Sequence, residues 1–123
     1  MKFLSMIRIQ ESTGQQPSDR LMTEMGKLME EMTRTGALVS TAGLRPTADG
    51  VRVRSNRGKV SVTEGPFTET KEVIGGFAIL EAKDKAEAIA LTRRFLAVHG
   101  EEWDLECEVR PLDGPEFGVR GQG

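Results

Sequence analysis

The chain has 123 residues, enough for one hydrophobic core and too few for a second domain of ordinary size. Charged side chains make up 29 % of it, 17 basic against 19 acidic, and the net charge of −2 disfavours non-specific attachment to nucleic acid or an anionic membrane. A single cysteine, Cys107, excludes an intrachain disulfide, no apolar run reaches membrane-spanning length, and the apolar N-terminus is short and broken by Arg8, so a cytoplasmic location is expected.

Residues 2–9 predict a strand with Phe3, Ser5, Ile7 and Ile9 on one face and Leu4 and Met6 on the other, which calls for cover on both sides. After a polar turn over 10–16, Pro17-Ser18 opens a helix in which the Ser18 hydroxyl can accept from an otherwise unpaired amide. Leu21, Met22, Met25, Leu28, Met29 and Met32 recur at helical spacing and predict one apolar stripe used as core, with Gly36 as the stop. Residues 37–44 predict a second strand ending at Arg45-Pro46. Residues 51–54 and 59–62 alternate strictly about a turn at 55–58, which predicts a hairpin with one face buried and one wet.

A polar loop over 64–72 leads into a strand over 73–81, where Gly75-Gly76 marks a bulge or a close backbone approach. Asp84 and Glu87 form a capping box for a second helix, with Ala88, Ile89, Thr92, Phe95 and Leu96 as its buried stripe. Beyond His99-Gly100, Leu105, Cys107 and Val109 alternate with charged neighbours in a last strand. The expected organisation is one domain over 1–118 and a flexible tail over 119–123. The element order predicts an α+β fold, ferredoxin-like βαββαβ with an inserted β-hairpin. That fold covers one sheet face with two helices. Apolar groups on the other face then require a partner, and a two-fold homodimer is expected.

The run Val62-Thr63-Glu64-Gly65-Pro66-Phe67-Thr68-Glu69-Thr70-Lys71-Glu72, followed directly by the apolar strand to Phe77, is more specific than core packing requires. Together with Gly43-Leu44-Arg45-Pro46 and the ending from His99-Gly100 to Arg110-Pro111, it resembles the YCII-related proteins, in the Asp-Gly-Pro-Phe (DGPF) branch. Glu64 stands where that branch has aspartate, which keeps the charge and lengthens its reach by one methylene. The resemblance implies a dimeric α+β barrel in which two ferredoxin-like sheets face each other. It also implies an accessory role beside sigma factors of the extracytoplasmic class. More distant relatives look like small lyases that pair a histidine with an aspartate. That pattern is missing here, since the only histidine is His99.

Three kinds of function remain open. A homodimer can bind a small polar or anionic molecule beside the 64–72 loop, using Arg45, Arg52, Glu64, Phe67, Glu69 and Lys71. Alternatively, Glu64 or Glu69 can act as a general base in a cofactor-independent lyase or isomerase, assisted by an arginine or His99. Against both stands a structural interaction module, in which the loop carboxylates serve backbone amides, Lys71 pairs at the surface and His99 caps a helix end. Arg45, Arg52, Arg54, Arg57 and Lys59 gather positive charge around the hairpin, without the interleaved aromatics or recognition helix of a nucleic-acid binder. Cys107 reads as a core thiol and Trp103 as a packing residue between the His99 turn and the last strand. No metal or cofactor is expected, because one histidine and one cysteine give no ligand spacing.

Overall fold

The computed structural model describes residues 1–67 and 72–113. Glu69 and Lys71, and the expected domain boundary and tail, lie outside the described residues. In chain order the elements are β1 (Lys2–Ile9), α1 (Asp19–Arg34), β2 (Leu38–Gly43), β3 (Val51–Asn56), β4 (Lys59–Glu64), β5 (Val73–Glu81), α2 (Lys85–His99) and β6 (Glu106–Pro111). Short 3-10 turns lie at Glu11–Thr13 and Thr47–Asp49. Strands β2, β5, β1 and β6, in that spatial order, form one antiparallel sheet, and β3 and β4 form a separate hairpin. With the hairpin set aside, this small α+β arrangement is consistent with a ferredoxin-like fold.

Both helices begin where side-chain acceptors are available. Ser18 Oγ accepts from Leu21 N–H at 3.1 Å, and Asp84 Oδ1 accepts from Glu87 N–H at 2.9 Å. Glu87 returns the contact one residue further out than a standard box, accepting from Lys83 N–H at 2.7 Å. α1 ends against Gly36, at φ 86°.

One face of the sheet carries the core. Phe3 on β1 pairs across to Leu80 on β5, and these join Leu38, Ala82, Leu28 and Met32 of α1 and Ala88 of α2 in one buried cluster. Both helices therefore cover the same face. Two residues expected in the buried stripes fall outside them: Met22 is 60 % exposed and Ile89 is 43 % exposed. Leu21, Leu28 and Met32 supply the buried line of α1, while Ala88, Thr92 and His99 supply that of α2. Adjacent helical residues point about 100° apart, so the sheet covers Leu21 and Ala88 but not the neighbour that follows each of them.

Among the described residues no helix lies on the opposite face. Cross-strand pairs Leu4–Ile79 and Met6–Phe77 place four apolar side chains there, all half-buried. At the same end of the sheet as the start of β5, Arg8 lies 3.6 Å from Glu72, 3.6 Å from Glu108 and 3.9 Å from Glu106.

Strand β5 contains the expected irregularity. Ile7 pairs with Gly76 and Arg8 with Ile74, leaving Gly75 as the extra residue of a bulge. A Cβ on Gly75 would stand 2.5 Å from Ile9 Cδ1, so the missing side chain makes room for Ile9.

The hairpin differs from its expectation. Val51, Val53, Val60 and Val62 share one face and the basic side chains the other, yet all twelve strand residues are exposed. Alternation fixes which side chains share a face; it does not supply the layer that covers them. Among the described residues no helix is long and apolar enough to cross a membrane.

Candidate functional site

Among the described residues a concavity opens at the end of the sheet where β1 and β2 finish and β5 begins. It is a cleft of about 640 Å³. Its apolar wall comes from Ile9, Leu44, Val73, Ile74, Phe67 and Trp103, and its polar rim from Gln10, Gln15, Gln16, Thr13 and Arg45. Three connections meet here: the turn after β1, the turn after β2, and the loop leaving the hairpin.

A short set of hydrogen bonds fixes the wall. The Glu11 carboxylate accepts from Thr47 N–H at 3.0 Å and from the Thr47 hydroxyl. The Thr47 oxygen in turn accepts from Phe67 N–H at 3.2 Å. Gly65 N–H donates to the Gly50 carbonyl at 2.9 Å, and the Gly65–Pro66 peptide is cis. A Cβ on Gly65 would lie 1.7 Å from the Thr47 carbonyl oxygen, so no other residue fits this approach without moving the turn. The Gly-Pro-Phe run therefore holds Phe67 against the cleft. The Thr47 hydroxyl, then its amide, hold the Glu11 carboxyl below the usual glutamate range. Glu11 is thus committed to the loop as an acceptor, ionised at neutral pH.

The opposite wall is tied down through Glu102. Its carboxylate accepts from Ser18 Oγ at 2.5 Å and from Arg20 Nε at 2.7 Å, and its carbonyl accepts from Gln15 Nε2 at 2.5 Å. Arg20 also donates to the Val98 carbonyl at 3.0 Å. The Ser18 hydroxyl and then Arg20 pull the Glu102 carboxyl below its usual range. This network joins the start of α1, the end of α2 and the turn after β1, and it sets Trp103, the next residue, into the cleft wall. The Trp103 indole N–H is buried and has no hydrogen-bond partner among the described residues.

The expected site residues separate into groups. Arg45 and Phe67 line the cleft. Arg45 Nε lies 2.9 Å from Asp49 Oδ2, an exposed pair worth little to stability. Arg52 stands behind the wall, its guanidinium carbon 4.0 Å from the centre of the Phe67 ring, close enough for a cation–π contact. Glu64, exposed at the end of β4 opposite Val51, is not among the cleft-lining residues. His99 is buried at the end of α2, with Nδ1 3.0 Å from the Phe95 carbonyl and its ring edge-on to Phe95 at 4.8 Å. Because a carbonyl only accepts, Nδ1 carries the proton. Glu69 and Lys71 fall in the segment outside the described residues. Cys107 is half-buried, and burial pushes its thiol up in pKa.

Sequence reasoning missed Glu11, Thr47 and Glu102, and gave Trp103 a packing role only. Glu11 and Thr47 are 36 residues apart, and Ser18 and Glu102 are 84 apart. No local spacing links such pairs.

Over residues 1–101 the chain matches the YCII-related domain. It is also similar to an uncharacterised protein of Rhizobium meliloti, 28 % identical over 99 residues, which cover 80 % of this chain and 78 % of that protein.

Proposed function

The chain belongs to the YCII-related domain family, and we propose that it is a homodimer that binds a small molecule in the cleft at the end of its sheet. The observation that carries this reading is the cleft itself: about 640 Å³, an apolar wall with Phe67 and Trp103, and a rim offering Arg45 and glutamine amides. A volume of a few hundred cubic ångströms with few polar groups suits a small ligand with an apolar body and one polar or anionic end. Arg45 takes the anionic end. Phe67, backed by Arg52, takes the body. Glu69 and Lys71, which follow Phe67 in sequence, lie outside the described residues and stay candidates for the polar contacts. Glu64 acts at a distance, at the foot of that loop.

Homodimer formation is supported by the uncovered sheet face, where Leu4, Met6, Phe77 and Ile79 remain only half-buried in a single chain. Two such faces set against each other give the dimeric α+β barrel. The Glu-Gly-Pro-Phe run supports placement in the DGPF branch, and with it a binding or regulatory role linked to sigma-factor signalling. A binding role also fits the described chemistry of the wall. Glu11 is the carboxylate on the described cleft wall, and its oxygens are already engaged by Thr47.

Trp103 is the only tryptophan, so its emission reports on the cleft directly. With 3-phenylpropionate as the probe, the wild type should show a saturable change in Trp103 fluorescence. Arg45→Gln should weaken that binding by about tenfold, the loss of one charge-assisted contact. A linear, non-saturating response, or one that Arg45→Gln and Phe67→Ala both leave unchanged, would falsify the reading.

A further inference from the structure

The cleft wall holds one polar atom that its internal contacts leave out. An indole N–H only donates, and folds pair nearly all of their buried donors because an unpaired one is costly. Among the described residues Trp103 Nε1 is the single buried side-chain nitrogen or oxygen without a partner. Loose placement is not the cause. Glu102, the residue before it, is gripped by Ser18, Arg20 and Gln15, so α1 and the turn ahead of it fix where the indole stands. The carboxylates nearby are already engaged, Glu11 by Thr47 and Glu102 by Ser18 and Arg20. The glutamine oxygens of the rim do not reach the indole either.

Trp103 is half-buried and lines the cleft, while its N–H edge is sealed. The turn over 10–16 shares this corner. Gln15 Nε2 donates to the Glu102 carbonyl, and that peptide group leads directly into Trp103. Residues 13–16 are exposed, and Gly14, at φ 66°, has open space where a Cβ would stand. The other end of the turn is anchored by Glu11 on Thr47. We propose that the Trp103 indole N–H is the specificity donor of the cleft: it takes an uncharged acceptor, a ring nitrogen or a carbonyl oxygen, on the apolar body of the ligand, and the turn gives way at Gln15 to admit it. Arg45 keeps the anionic end. The inference rests on the small-molecule reading above and narrows its ligand, from any acid with an apolar body to one whose body bears a hydrogen-bond acceptor. A buried donor that one ligand satisfies rejects the carbon isostere that leaves it unpaired.

Calorimetric titration of the full chain compares 3-phenylpropionate with its three pyridyl isomers, in mildly alkaline buffer where the pyridine nitrogen is unprotonated. The isomers carry one neutral acceptor to each position around an otherwise equal ring. At least one of them should bind about tenfold tighter than 3-phenylpropionate, and Trp103→Phe should erase that preference whatever it does to overall affinity. Nuclear magnetic resonance of the wild type frees the test from the folding of that variant, because the only tryptophan gives a single indole N–H signal. The signal should move downfield with the preferred pyridyl probe and not with 3-phenylpropionate. Its exchange with deuterium should be slow in the free protein, and Gln15→Ala should speed it by about tenfold or more. Saturable binding of all four probes with equal affinity, or an indole signal unmoved by the tightest of them, overturns the donor and leaves the cleft reading standing. Failure of all four to saturate removes the cleft reading and this inference with it. Indole exchange indifferent to Gln15→Ala overturns admission through the turn.

Discussion

Strand β5 and the strands of the β3–β4 hairpin are both rich in β-branched residues, alternating with polar and charged ones in the hairpin alone, and they meet opposite fates. In β5, Leu80 is buried with side chains of α1 and α2, Gly76 is buried against β1 and β2, and Phe77 and Ile79 are at least half-covered. In the hairpin every residue is exposed. The difference does not lie in strand propensity. β5 has paired strands on both sides, β1 and β2, while among the described residues each hairpin strand has one neighbour and no helix. Burial is a property of the layer a strand joins, and only the pattern within the strand is local.

The widest gap between the two regions should appear in their tolerance of truncation. Phe3→Ala removes the largest fully buried side chain, opposite Leu80, and should cost about 3–5 kcal/mol in urea denaturation. Val53→Ala, in the hairpin, should stay within about 0.5 kcal/mol when measured on dilute monomer. Equal losses at the two positions would mean that the hairpin is packed within the single chain after all.

The junction between the sheet and the hairpin should respond at an intermediate level. Gly65→Ala drives a methyl group into the Thr47 carbonyl and should cost about 2 kcal/mol, since backbone rather than a flexible side chain must move. The accompanying shift of Phe67 should show as a changed Trp103 emission, because both residues line one cleft. An alanine variant with wild-type stability and emission would show that the loop is not locked at this point.

The smallest effect is electrostatic and lies outside the hairpin. Glu11, Glu81 and Glu102 are all held below the usual glutamate value near 4.5, by the Thr47 hydroxyl, the Met1 ammonium group and the Ser18 hydroxyl respectively as the leading causes. A carboxyl whose pKa is depressed by folding stabilises the fold above its unfolded value. That contribution fades as pH falls through the folded value. The urea midpoint should therefore hold steady above about pH 4.5 and decline below it, with Glu11→Gln flattening part of the decline. A midpoint indifferent to acid would remove these three contacts from the account.

Much of the fold was legible in the sequence because it was written locally. Ser18 and Asp84 mark helix starts by their own hydroxyl and carboxylate. The strand boundaries follow the alternation, and the glycine pair in β5 announced the bulge. The helix faces were read one residue too wide at Met22 and Ile89, where the sheet's extent decides and the helix repeat does not. At the site, Phe67 and Arg45 were recoverable from the Gly-Pro-Phe run and the Arg-Pro turn. The residues that hold them in place were not. Glu11, Thr47 and Glu102 look like ordinary surface polar residues until the fold brings segments far apart in sequence together.

The extra residue at Gly75 has a wider consequence for the strand that contains it. Because side chains alternate with a period of two, one inserted position acts as a phase shifter: it sets Ile74 across from Arg8 and Val73 across from Ile9. Without it, the first residues of the strand would exchange inside for outside. Ile74 would then take the side of the sheet that Val73 now holds. A single glycine thus decides which apolar side chain at the start of the strand turns toward the helix layer and which toward the uncovered side.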